Sequence, residues 1–286
     1  MKPLVEVLMS TAAYFKSRGI PSARLDAELL IGHALGLDRV QVYLAFDRPL
    51  LQEELEPIRV LVRRRGNREP LAWIVGSREF YGRDFRVGPG VLVPRPDTET
   101  LIEALLPLLP VNEECFVADV GSGSGCIGLT LAAERPLLRL YAIDKAEAPL
   151  TFTRENVEAL GLKERVAVLR GSLLAPVPAA RRIDWVVSNP PYIPSADIEG
   201  LAPEVRDQEP RLALDGGPDG LDVYRALVQE ASARAQRGVA FEVGYGQAPE
   251  VAALVEAAGF ARITLHADLG GVQRVVIGQR AEAVHS

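Results

Sequence analysis

The sequence predicts an α/β fold: a mostly parallel sheet that ends in an antiparallel hairpin, preceded by a small α-helical bundle and a β-hairpin linker. Three observations predict it. From about Asp97 onward, strand-like and helix-like segments alternate, as repeated βαβ units do. The last two strand-like segments, 262–266 and 274–277, are joined too tightly for a crossover helix and must pair as a hairpin. The first 75 residues or so read as four short helices.

Taken in order, residues 5–18 form a helix that ends at Gly19. Ser22 is placed to cap the next, which should bury Leu25, Leu29, Leu30 and Ala34. Gly36 stops that helix, Asp38 can cap a short third, and a fourth runs over about 52–65. The run Arg63-Arg64-Arg65 reads as a solvated helix end favoured by the helix dipole. Aromatic and β-branched residues around Gly82, followed by Gly88-Pro89-Gly90 and Val91-Leu92-Val93, indicate one or two β-hairpin arms. Strands are then expected at 116–120, 138–143, 166–169, 185–187 and 239–243, with helices at 127–133, 149–160 and 248–258. The domain division that follows is 1–75 helical, 76–96 linker and 97–286 catalytic.

Composition narrows the function classes. The chain has 286 residues, 48% hydrophobic and 24% charged, which is globular and core-forming. No apolar run approaches the roughly 18 residues of a membrane span. The start Met1-Lys2-Pro3-Leu4-Val5-Glu6 meets an acid too early for a secretory signal, so the expected location is cytoplasmic, without a membrane partner. A net charge of −6 argues against a general phosphate-driven grip on nucleic acid. Cys115 and Cys126 read as small hydrophobes in a reducing compartment, and neither shows metal-ligand spacing. His33, His266 and His285 lie in no motif.

Two motifs carry chemistry. The first is Asp119-Val120-Gly121-Ser122-Gly123-Ser124-Gly125, between a strand and a helix, where glycines let a ligand approach the backbone and the N–H groups of the helix start. Asp144 ends the next strand, 19 residues after Gly125, where a carboxylate can accept from both hydroxyls of a ribose. Because Gly123, Gly125 and Gly128 also satisfy the dinucleotide pattern, the loop alone does not separate a dehydrogenase from a methyltransferase. The second motif does. Ser188-Asn189-Pro190-Pro191-Tyr192 makes a stiff loop at the carboxyl end of the fourth sheet strand, because each proline fixes φ and restricts its predecessor. The Asn189 amide oxygen, the Pro190 carbonyl and the Tyr192 ring would hold a planar NH2 group by two acceptors and a π-face, as methylation of a weakly nucleophilic nitrogen requires. For Asn-Pro alone a rigid turn with a capping Asn would be the plainer reading.

These motifs match the class I S-adenosylmethionine-dependent methyltransferases, a Rossmann-like fold, that modify amino groups. The match narrows with Pro70-Leu-Ala-Trp-Ile-Val-Gly76, Glu79-Phe-Tyr-Gly82, Val93-Pro-Arg-Pro-Asp-Thr-Glu99 and Glu209-Pro-Arg-Leu-Ala-Leu214, with Gly216-Gly217 and Asp219-Gly-Leu221 behind them. Over nearly its whole length the chain resembles the release factor glutamine methyltransferases (the HemK-like, PrmC-type family). The resemblance implies methylation of the side-chain amide of the glutamine in the Gly-Gly-Gln motif of peptide chain release factors. It also implies roles: Asn189 and Pro190 hold the substrate amide, with Pro191 and Tyr192 beside them. Gly121, Ser122, Gly123, Ser124 and Gly125 pack on the methionine part of S-adenosylmethionine. Asp144 takes the ribose, Asn189 borders the cofactor, and adenine packs on Leu173. Two positions depart from the family pattern. Ser172-Leu173 stands where an Asp-aromatic pair is usual, and Gln208 where an aromatic is favoured.

A sulfonium methyl is already electrophilic, so no metal and no Ser or Cys nucleophile is called for, and alignment supplies most of the catalysis. Two rivals carry different predictions. A DNA or RNA adenine N6-methyltransferase would use the same loop but must flip a base and hold phosphates. A non-catalytic cofactor-binding module docking on a translation factor would have no need of Asn-Pro-Pro-Tyr.

Overall fold

The computed structural model describes residues 2–281, so His285 lies outside the described residues. The chain divides into two compact units: one holds the residues up to Ser77 together with Ala202–Gln208, the other Arg78–Leu201 and the residues from Glu209 on.

The first unit contains α1 (Leu4–Ser17), α2 (Ala23–Leu35), α3 (Arg39–Leu44), α4 (Gln52–Gly66) and α5 (Leu71–Val75). Two small cores hold them together, one built on Leu4, Leu8, Ile31, Val42 and Ile58, the other on Phe15, Ile20, Leu30 and Ile74. Gly36 ends α2 in the left-handed region, and Asp38 caps α3 in a capping box, its carboxylate accepting from Gln41 N at 2.8 Å.

Three expectations are corrected here. The Ser22 side chain makes no cap hydrogen bond. The buried face of α2 is rotated: Leu25 is exposed and Leu29 and Ala34 only half-buried, while Asp26, Ala27, Leu30 and Ile31 are inside. Arg65 is not solvated but 4% exposed. Its Nε donates to Asp26 Oδ2 at 2.7 Å, one Nη to Glu69 O at 3.1 Å and the other to Glu204 Oε1 at 3.3 Å. Burying Asp26 turns α2, because a buried carboxylate needs a charged partner and the helix rotates to reach it.

From the unit boundary on, β1 (Ser77–Phe80) and β2 (Arg83–Arg86) form a single two-stranded hairpin; Val91-Leu92-Val93 forms no second arm. The main sheet comprises β3 (Cys115–Val120), β4 (Leu138–Asp144), β5 (Val166–Arg170), β6 (Ile183–Ser188), β7 (Ala235–Glu242), β8 (Arg262–Ala267) and β9 (Gln273–Gln279). Its spatial order is β5-β4-β3-β6-β7-β9-β8. Strands β3 to β7 are parallel, and β9 lies antiparallel between β7 and β8. The helices around it are α6 (Glu99–Leu105), α7 (Cys126–Glu134), α8 (Glu147–Ala159), α10 (Asp222–Arg234) and α11 (Ala248–Ala257); the short α9 (Pro203–Arg206) belongs to the first unit. Every residue of β6 is buried, as expected of a strand covered on both faces. One layer of core contains Leu101, Leu129, Leu140 and Trp185, and the other Val186, Tyr224, Phe241 and Val251. This is the Rossmann-like methyltransferase fold with its terminal hairpin, as predicted.

The chain leaves β3 toward β4 and β5 on one side and returns to β6 on the other. That reversal opens a crevice beyond the carboxyl ends of β3 and β6, the place where such sheets bind ligands. Cys115 and Cys126 are free thiols, both pushed up to about 12 chiefly by burial, and so behave as inert hydrophobes. Among the described residues no helix is long and apolar enough to cross a membrane.

Candidate active site

A cavity of about 240 Å³ fills this crevice. Its lining brings together Gly121, Ser122, Gly123 and Ser124 after β3, Asp144 after β4, Leu173 after β5, and Asn189, Pro190 and Pro191 after β6. Two expected residues do not line it. Gly125 sits behind the loop as the N-cap of α7, at φ 84°, where an added Cβ would stand 2.8 Å from Leu129 Cδ1. Tyr192 turns its ring into the core and its hydroxyl toward Glu242 Oε1, at 3.5 Å. The expected stacking of the Tyr192 ring on a substrate amide is therefore corrected: the residue supports the loop from behind.

The glycine loop is held by backbone bonds. Gly121 N and Ser122 N both donate to Ile143 O, at 2.8 and 2.9 Å, and Gly125 N donates to Ser122 O at 2.7 Å. Thr153 Oγ1 donates to Gly123 O at 2.8 Å, and Asn156 Nδ2 to Ser124 O at 2.9 Å, pinning the loop to α8. Asp144 accepts from Gly123 N at 3.1 Å and from Ala146 N at 3.0 Å, one bond to each oxygen. Burial raises its carboxyl, and those N–H bonds oppose the rise. Each oxygen keeps a free lone pair for a ribose hydroxyl.

The cradle fits S-adenosylmethionine on its own evidence. Among the described residues, the buried hydroxyls Ser122 Oγ and Ser124 Oγ have no hydrogen-bond partner, and both residues line the cavity. Such orphans are costly unless a ligand or water completes them. The Ser172-Leu173 departure takes structural form as well: Leu173 lines the cavity in the left-handed region, at φ 51°. It offers an aliphatic surface to a base and no side-chain acceptor.

Asp119, fully buried under the loop, accepts from Gly128 N at 2.9 Å through Oδ2, while Oδ1 has no partner among the described residues. Burial, with Asp144 adding, pushes its carboxyl up to about 7. The folded state thus holds this proton more tightly than the unfolded chain, where an Asp titrates near ~4. Between about pH 4 and 7 the native state binds more protons, so this group's contribution to stability falls as pH rises. We expect Asp119→Asn to remove that slope. In pH-resolved denaturant melts, its stability minus that of the parent should grow by about 2–3 kcal/mol between pH 5 and 8, at ~1.4 kcal/mol per pKa unit. Parallel curves would show that Asp119 is ionised throughout.

Part of the cavity wall comes from the segment read as the 76–96 linker and from the start of the domain that follows it. Gly90, Leu92, Pro94, Arg95 and Thr98 line the cavity. Arg95 donates to both oxygens of the buried Glu209, at 2.8 and 2.7 Å, so Pro210, Leu212 and Ala213 behind it also reach the cavity wall. Thr98 is the residue that meets Asn189: Asn189 Nδ2 donates to Thr98 Oγ1 at 3.3 Å. Glu242, at the end of β7, is a 2% exposed carboxyl whose Oε1 stands 3.5 Å from Tyr192 Oη. Burial pushes Glu242 up to about 7, against the pull of the Thr98 hydroxyl and of Arg274. Sequence reasoning missed both residues. The signal for Glu242 was a lone acid closing the otherwise apolar run Val239-Ala240-Phe241 at a parallel strand end.

Comparison with known proteins agrees with this geometry. A model of the PrmC N-terminal domain matches residues 6–76, and one of the methyltransferase small domain matches residues 94–203. The release factor glutamine methyltransferase of Geobacter sulfurreducens is 44% identical over 276 residues, covering 96% of this chain and 95% of that protein. That of Rhodospirillum rubrum is 44% identical over 272 residues, covering 94% and 82%. Among solved structures, the T. thermophilus 16S rRNA N2 G1207 methyltransferase in complex with AdoMet and guanosine aligns with a TM-score of 0.52. It is 22% identical, over 72% of this chain and 50% of that one, and the likeness speaks for the fold alone.

Proposed function

Because the chain belongs to the release factor glutamine methyltransferase family, we propose that it transfers a methyl group from S-adenosylmethionine to a release factor, at the side-chain amide nitrogen of the glutamine in its Gly-Gly-Gln motif. The observation that carries this reading is the Asn189 carboxamide. Its NH2 is committed to Thr98, so its Oδ1 is the atom left to accept from an incoming amide.

When bound, S-adenosylmethionine supplies a methyl group made electrophilic by the sulfonium. The protein's part is to hold and orient. Asp144 would hold the cofactor's ribose, Gly121 to Ser124 its methionine part, and Leu173 its adenine. Asn189 Oδ1 and the Pro190 carbonyl accept the two hydrogens of the glutamine NH2, which raises electron density on nitrogen and fixes its approach. The prolines at 190 and 191 make this grip stiff, since neither can relax its φ. Positioning of this kind supplies up to ~7–11 kcal/mol of a barrier. Cavity walls from Pro94, Pro210 and Leu212 keep the reacting nitrogen away from water. The helical unit recognises the body of the release factor, and the enzyme works in the cytoplasm without membrane or nucleic-acid partners.

The test is transfer of labelled methyl from S-adenosylmethionine to purified release factor, beside its Gly-Gly-Gln→Gly-Gly-Ala variant and unmethylated DNA. Label on the unaltered factor alone is the expected result. Label on DNA would keep the loop chemistry and overturn the substrate, and label on neither would overturn the reaction.

A further inference from the structure

Stiffness alone does not place the Asn-Pro-Pro-Tyr loop. Pro190 and Pro191 carry no N–H, so half of the loop has no backbone donor with which to anchor itself. A rigid segment stands only as well as its ends are held. The front end is fixed where Ser188 Oγ donates to Val120 O at 2.6 Å, tying the end of β6 to the end of β3. Beyond the loop, Ile193 N donates to Leu214 O at 3.0 Å, and Ile193 O accepts from Gly216 N at 2.9 Å. Between these anchors a side chain from the far side of the sheet edge reaches Tyr192. Gln247 Nε2 donates to Tyr192 O at 2.9 Å, while Gln247 Oε1 accepts from Gly244 N at 3.0 Å. One partner is a carbonyl and the other an N–H, so only one orientation of this carboxamide satisfies both.

We propose that Gln247 is a positioning residue for methyl transfer: by holding the Tyr192 carbonyl it sets, through the two prolines, where the Pro190 carbonyl and Asn189 Oδ1 stand before the acceptor amide. This rests on the amide-methylation reading above. Gln247 is the N-cap of α11, yet its side chain makes no cap bond there. The helix start forgoes a side-chain cap, and the carboxamide serves the loop instead. The backbone around the contact is also cleared for it. A Cβ at Gly220, where φ is 78°, would collide with Tyr192 O and stand 2.6 Å from Gln247 Nε2. One at Gly244 would stand 2.6 Å from Gln247 Oε1, and one at Gly216 2.7 Å from Pro191 O. Glycine is what lets these chains come so close to the loop. Because φ is fixed at both prolines, a shift of the Tyr192 carbonyl passes to the peptide planes before it rather than being absorbed.

The test uses the full chain at about pH 8, with release factor as substrate and calorimetry for S-adenosylmethionine affinity. Gln247→Glu, ionised at that pH, keeps an acceptor for Gly244 N and loses the donor to Tyr192 O; Gln247→Met loses both. Each is expected to lower kcat about 10- to 100-fold, the scale at which a small misplacement of reacting groups acts, with cofactor affinity and the KM for release factor within about threefold. A merely structural role would lower the melting temperature and spare kcat. Because Gln247 acts through the loop that carries Asn189, combining Gln247→Glu with Asn189→Ala should give less than the product of the two losses. Unchanged kcat in Gln247→Glu, a matching loss of cofactor affinity, or a fully multiplicative double variant would overturn the proposal. An inactive parent enzyme would instead overturn the amide-methylation reading, and this proposal with it. Should Gln247→Met fail to fold, Gln247→Glu, which preserves the bond to Gly244, still decides.

Discussion

Asn189→Ala is expected to slow methyl transfer by about 10²- to 10³-fold, the size of loss seen when one preorganised polar contact to the reacting group is removed. Affinity for S-adenosylmethionine should change by less than about threefold. The asymmetry follows from where Asn189 sits. The glycine loop is held by Ile143, Thr153 and Asn156, and Asp144 by Gly123 and Ala146, none of which involves the 189–192 loop. Losing the carboxamide removes an acceptor for the substrate NH2 but leaves that cradle standing. It also leaves the buried Thr98 Oγ1 without its donor, at a cost in stability of about 1–3 kcal/mol. Single-turnover transfer beside calorimetric binding separates the two quantities. Turnover that survives the substitution would show that the backbone carbonyl of Pro190 alone holds the nitrogen. A parallel loss of cofactor affinity would show that Asn189 serves mainly to close the cofactor site.

The sheet was largely legible because its signals are local. Apolar runs of strand length, a glycine loop and a tight final pair each announce themselves within a dozen residues, and parallel strands covered on both faces cannot hide their composition. The site was legible as far as it follows from motifs at strand ends: Gly121 to Ser124, Asp144, and Asn189 with its prolines all meet at one cavity. What escaped depends on distant partners. Thr98, two residues past the 76–96 linker, carries no signal until the fold sets it against Asn189, 91 residues on. The Tyr192 ring is packed inward because Glu242 lies behind it, a juxtaposition that no spacing encodes. Among helices, α5 and α6 are too short for periodicity to declare them. In Arg63-Arg64-Arg65 a basic helix end looks solvated in sequence whichever of its members is buried. Arg65 is inside only because Asp26, 39 residues earlier, and Glu204, 139 residues later, converge on it.

That convergence makes Arg65 the residue on which the helical unit depends. Arg65→Ala would leave Asp26, 3% exposed, as a buried carboxylate stripped of its charged partner, and would free Glu204 from one of its two arginines, Arg68 keeping the other contact. Breaking a buried pair from one side costs about 3–5 kcal/mol, because the surviving charge has neither water nor counter-ion. In a two-unit chain a single melting curve does not assign that loss, so hydrogen exchange is the sharper measurement. Protection of α2 and α4 should fall by roughly 10²- to 4 × 10³-fold, at 1.4 kcal/mol per tenfold, while β3, β4 and β6 keep theirs. A further variant distinguishes lost charge balance from lost packing. Adding Asp26→Asn to Arg65→Met removes the stranded charge and keeps most of the volume, and should recover more than half of the protection, as neutral replacements of buried pairs generally do. Unchanged protection in Arg65→Ala would mean that water reaches Asp26. Functionally, the same variant tests the division of labour between the units. If the helical unit recognises the body of the release factor, its loosening should raise the KM for whole release factor and leave calorimetric S-adenosylmethionine affinity intact. Loss of both together would place recognition in the methyltransferase unit instead.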